Sequence, residues 1–158
     1  GVESGSKKIL KRMKKGVHPE KAKSAVSLSR KYIKALEVSI ILGYIGEDRD
    51  TLRETVEFSK KLGVKPSVFF ATAFPGTELY RIALEKGKIK DEEEYLMGLE
   101  TEHIGILRLN LTDIPDAEAK KALLGAKKEI RNYYYFTRPW LPIIVLINRI
   151  KSRGFSQN

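Results

Sequence analysis

Two short apolar runs, Glu37-Val-Ser-Ile-Ile-Leu42 and Ser67-Val-Phe-Phe-Ala-Thr72, most constrain the fold of this chain. Each is rich in β-branched or aromatic residues and too short for a buried helix, which predicts buried strands. Between them lies a segment with helical spacing. Asp48 or Asp50 can cap it, and Gly63 ends it after Leu62. A strand, a helix and a second strand joined by short links predict a βαβ unit and a parallel sheet.

The flanks extend the alternation. Ser6 can cap a helix from Lys7 to about Lys15, closed by Gly16. Pro19 suits the start of the next helix, whose apolar face is Ala22, Ala25, Val26, Ser29, Tyr32, Ile33 and Leu36. Thr77 can cap a helix through Glu85, after the turn Phe74-Pro-Gly-Thr77. Residues 1–5 read as the end of a further strand, and the missing methionine reads as an artificial edge or as the start of an internal fragment. Beyond residue 90 the pattern changes. Residues 91–97 are acidic and helical, His103–Leu109 reads as a strand, and Pro115 opens a long helix. Ala119, Ala122, Leu123, Ala126, Ile130, Tyr133 and Tyr134 share one face of that helix.

Charge is distributed unevenly. Residues 1–34 hold eleven Lys/Arg and two acids, which accounts for nine of the net +10. Such a field attracts nucleic acid, anionic lipid or a phosphorylated ligand, although a pair of solvated Lys-rich helices looks the same in sequence. Cysteine is absent, which excludes disulfides, thiolate zinc sites and cysteine-held iron–sulfur clusters from this chain. It also fits a reducing, cytoplasmic location. His18 and His103 lack the spacing of a metal site, and no Ser/His/Asp set suggests a catalytic residue. Leu141–Ile150 is shorter than the roughly 20 apolar residues of a membrane span. Residues 140–153 could lie on a membrane, flanked by Arg149, Lys151 and Arg153, but packing beneath a domain is the commoner fate of such a segment.

Several motifs occur in order: Gly1-Val-Glu-Ser-Gly-Ser6 with Ile9-Leu10 and Met13-Lys-Lys-Gly16, then Gly43-Tyr-Ile-Gly-Glu-Asp48, Phe74-Pro-Gly-Thr-Glu-Leu-Tyr80 and Phe136-Thr-Arg-Pro139. Together they resemble the radical S-adenosylmethionine (SAM) enzymes, most of all the class with an N-terminal cobalamin-binding domain. Tyr44-Ile45 stands where that family usually has Leu-Pro, and Asp48 where it has Thr. The resemblance implies an α/β fold in which residues 1–90 form the C-terminal half of a (β/α) TIM-like barrel and residues 91–158 a helical C-terminal extension. It implies a parent enzyme with a 4Fe-4S cluster, SAM and in some members cobalamin, performing radical-initiated modification or methylation. The chain alone, without cluster cysteines, is expected to be inactive.

The same resemblance assigns site residues. Glu3 and Ser4 would face the ribose and methionine part of SAM, and Lys15 its carboxylate. Gly43 and Gly46 would let the backbone approach the ligand, Ile41 and Thr72 would flank adenine, and Phe74 would wall the substrate space. The open sheet edge is expected to pair with the other half of the barrel or with a second copy. Two alternatives remain at this stage. Related enzymes that modify tRNA share the Ser-Gly-Ser and Met-Lys segments, usually with Gln in place of Glu3, and residues 7–34 would then contact RNA. Otherwise the chain is a non-catalytic scaffold.

Overall fold

The computed structural model describes residues 1–101 and 106–140. Its elements, in chain order, are α1 (Lys7–Arg12), α2 (Pro19–Ser29), β1 (Val38–Leu42), α3 (Arg49–Lys61), β2 (Pro66–Phe70), α4 (Glu78–Glu85), α5 (Glu92–Thr101) and α6 (Asp116–Phe136). β1 and β2 pair in parallel, from Val38 opposite Pro66 to Leu42 opposite Phe70. Residues 2 and 3 lie along the other edge of β1. Glu3 N donates to Ser39 O at 3.0 Å, and Ile41 N donates to Glu3 O at 2.7 Å. Leu42 O faces the opposite way and accepts from Ala71 N at 2.8 Å.

The expected half barrel is not what forms. Among the described residues there is one two-stranded sheet, one isolated bridge from Glu3 to Ile40, and six helices. This is a small α-rich domain. Barrel walls need a row of strands paired on both edges with a consistent tilt and stagger. Here residues 106–109, the described part of the strand expected over 103–109, are irregular. The rest of that segment, and the apolar run 141–150, fall outside the described residues.

The long helix α6 packs on α3 and β2 instead. Leu123 is fully buried and Ile130 nearly so, in one core with Ile40, Leu42, Val56 and Phe70. Removing a leucine side chain from water in this way contributes about 2 kcal/mol. The face read from sequence is buried at Ala119, Leu123, Ala126 and Ile130. Beyond α6, Arg138 of the Phe-Thr-Arg-Pro segment lies 4.4 Å from the Tyr134 ring and donates to Gly63 O at 2.8 Å. A second core gathers Ile45, Ala71, Ala73, Leu79, Tyr80 and Ile89.

Two helix ends differ from expectation. α1 stops at Arg12, and the chain turns at Lys14, whose φ is +57°. Lys15 N donates to Leu10 O at 2.9 Å, closing the helix in the manner usually reserved for glycine. A left-handed backbone costs a lysine about 1 kcal/mol. α2 ends at Ser29, short of Leu36, and Tyr32 is 81% exposed. The expected caps Asp48 and Thr77 do form. Asp48 accepts from Thr51 N at 2.8 Å within a reciprocal capping box, and Thr77 Oγ1 accepts from Tyr80 N at 3.2 Å.

Candidate functional site

At the carboxyl end of β1 the chain turns through Gly43 and Gly46, whose φ angles are +82° and +76°. Glycine is needed at both for its backbone freedom. At Gly46 there is a second reason, because the Arg12 guanidinium occupies the space a Cβ would fill. Glu47 folds back under this loop. Its Oε2 accepts from Gly43 N at 2.6 Å, and its backbone carbonyl accepts from Asp113 N at 2.8 Å. The side chain is fully buried, and burial pushes its carboxyl up to about 7, partly offset by the Gly43 amide. Its Oε1 has no hydrogen-bond partner among the described residues, nor has the buried Ser6 Oγ.

Beside this loop stands Glu3, a buried non-glycine residue with φ +66°. Lys15 Nζ approaches Glu3 Oε1 at 3.2 Å. A strained backbone and a buried carboxylate met by a half-exposed lysine at one strand end are features by which functional sites are often recognised. Ser4 is fully buried, and its hydroxyl lies 2.9 Å from Thr55 Oγ1 and accepts from Ser6 N at 3.1 Å. It ties the end of the first extended segment to α3.

The remaining sequence-predicted residues lie across the same strand ends. Ile41 is half-buried and bonded through its amide to Glu3 O. Thr72 is half-buried, with Oγ1 donating to Phe70 O at 3.4 Å. Phe74 is 48% exposed, in the turn before α4. The structure therefore brings Glu3, Lys15, Ile41 and the Gly43–Glu47 loop together, with Ser4 buried behind them and Thr72 and Phe74 on the neighbouring strand end.

The comparison with known proteins bears on this arrangement. The chain is 35% identical, over 85 residues, to an uncharacterized methyltransferase of Pyrococcus horikoshii. That stretch is 53% of this chain, and the chain spans about 18% of the length of that protein. No family model matches the chain.

Sequence reasoning missed how the basic segment is used. Lys8 pairs with Asp48 and Lys14 with Glu78, each at 2.5 Å, while Lys15 reaches Glu3 and Arg12 covers Gly46. Four cations from α1 and its end thus hold three loops. Asp48 is held well below the usual carboxylate range, by Lys8 first and then by Thr51. In sequence these lysines are indistinguishable from Lys7 and Lys11. Glu47 was also missed as a buried group, although its place directly after Gly46 could have marked it. Among the described residues no three His, Cys, Asp or Glu are grouped to hold a metal ion, and no helix is long and apolar enough to cross a membrane.

Proposed function

We propose that this chain is part of a SAM-dependent methyltransferase, of the radical type its motifs resemble, and that its share of the work is to hold SAM. The supporting observation is the buried Glu3 carboxylate, met by the exposed Lys15 ammonium, beside the positive-φ glycines that follow β1. The Lys15 ammonium can pair with the methionine carboxylate, and the Glu3 carboxylate can accept from ribose hydroxyls. Gly43 and Gly46 present a backbone without side chains to the ligand. Ser4 keeps Glu3 in position through Thr55, Ile41 and Thr72 lie beside the adenine, and Phe74 walls the substrate side. When bound, SAM supplies the reactive sulfonium. The similarity to a protein named as a methyltransferase supports the choice of cofactor.

A 4Fe-4S cluster does not fit these residues, because the chain contains no cysteine to ligate it. In this reading the cluster belongs to another part of the enzyme. Cobalamin is likewise assigned no residue of this chain, and the free sheet edge is covered by another segment of the longer protein. The test is SAM affinity, measured by titration calorimetry on the full protein. Lys15→Met is expected to weaken binding about tenfold, the effect of losing one charge-assisted contact, with the thermal transition unchanged. Unchanged affinity would remove Lys15 from the pocket. RNA binding through residues 7–34 makes a separate prediction: affinity for RNA that falls steeply with salt and is lost in Lys7→Gln/Lys11→Gln.

A further inference from the structure

A second basic cluster is assembled from residues distant in sequence. Lys86, Lys88 and Lys90 follow α4, Arg108 comes from the irregular segment before α6, and Lys120 from the second turn of α6. All five line one groove of about 480 Å³, with Asn110 and Asp116. Asp116 is the acid on its wall, and it is already engaged by Lys88 at 2.9 and 3.2 Å and by Asn110 Nδ2 at 2.6 Å. Among the described residues, the groove is therefore lined by five cations and one carboxylate. An adjoining hollow, which shares Lys88, Lys90 and Arg108, adds Asp91 and Glu94 on its far side.

Dispersed surface lysines minimise their mutual repulsion in water. A concave, low-dielectric wall that gathers them concentrates the positive potential instead, and that potential is offset when an anion binds. Leu107 and Leu109 line the same groove. Arg108 has a defined seat, since its guanidinium lies 3.2 Å from where a Cβ on Gly98 would be. Arginine with flanking lysines is a donor set suited to phosphate, the guanidinium through paired N–H groups and the lysines as point charges. Leu107 also comes within 4.0 Å of the Cβ position at Gly43, so the groove adjoins the strand-end loop.

We propose that the groove lined by Lys86, Lys90, Arg108 and Lys120 binds a phosphate or diphosphate group carried by a ligand of this protein. The inference does not depend on the SAM reading, because Lys15 and Glu3 bear on one site and Lys90 and Lys120 on the other. Inorganic pyrophosphate is the probe, titrated calorimetrically into the full protein at about 0.15 M salt, where distant surface charges are largely screened. Saturable one-site binding is expected. Lys90→Gln and Lys120→Gln should each weaken it about tenfold, as loss of a charge-assisted contact does. Both side chains are exposed, so folding should survive, and circular dichroism checks that it does. Lys7→Gln/Lys11→Gln should leave binding unchanged. Vesicles containing phosphatidic acid then separate the sources: binding that pyrophosphate displaces puts the phosphate on a lipid, and no vesicle binding puts it on a soluble molecule. Absence of saturable pyrophosphate binding overturns the proposal. So does equal weakening by both sets of variants, which would mean an adventitious ion only.

Discussion

The strand-end region and the α3–α6 seam use polar residues in opposite ways. At the seam, charges stay at the rim. Arg49 pairs with Glu118, and both Arg53 and Lys60 reach Glu129, while Leu123, Ala126 and Ile130 fill the interior. At the strand ends, Ser4, Ser6, Glu47 and Thr55 are fully buried, Glu3 nearly so, and two of their oxygens lack partners among the described residues. The seam is what stability alone would produce. The strand ends carry costs of desolvation and positive φ that stability does not explain, and such costs concentrate where a protein binds or reacts.

Three measurements can break or sharpen this contrast. The largest effect belongs to the seam. Leu123→Ala empties a fully buried site and should destabilise the chain by about 3 kcal/mol in urea unfolding. A loss below about 1 kcal/mol would mean that the seam is not a packed core.

The second effect belongs to the strand ends and depends on pH. Glu47 has a folded value of about 7 against an ordinary 4.5, so the folded protein holds the proton where the unfolded chain has released it. This contribution to stability is fully present below about pH 4.5, falls as pH rises toward 7, and is lost above it. Glu47→Gln keeps an acceptor for the Gly43 amide and cannot ionise. At pH 8 it should therefore be more stable than the parent, by at most about 3 kcal/mol, with the difference vanishing near pH 4.5. Equal stabilities across that range would show that Glu47 is not strained by its burial.

The smallest effect tests the rim. Arg53→Ala removes pairs to Glu57 and Glu129 between side chains that are all more than a third exposed. It should change stability by less than about 1 kcal/mol, and less still at high salt.

Local features of this chain were legible before its fold. The two apolar runs as strands, the caps Asp48 and Thr77, and the buried face of α6 all rest on interactions within a few residues or on periodicity, and the short connection between the two runs made their parallel pairing readable too. Of the residues picked out by motif, Glu3 and Lys15 pair with one another, and Gly43 and Gly46 turn the loop that follows β1. Gly16 illustrates the limit. It looked like the helix stop, but Lys14 takes the left-handed turn in a segment where Lys14 and Lys15 are drawn to Glu78 and Glu3.

What the sequence determined by itself was the alternation of helix and strand, because hydrophobic period and capping chemistry are local. Tertiary structure alone decided three things. It set the extent of the sheet, two strands with α6 packed against them rather than part of a barrel, because pairing at a sheet edge depends on what else in the chain reaches it. It decided which lysines are partners of buried or loop acids and which are solvated. It also gathered Lys86, Lys90, Arg108 and Lys120 around one groove, because the fold brings together residues that in sequence are separated by a run of acids.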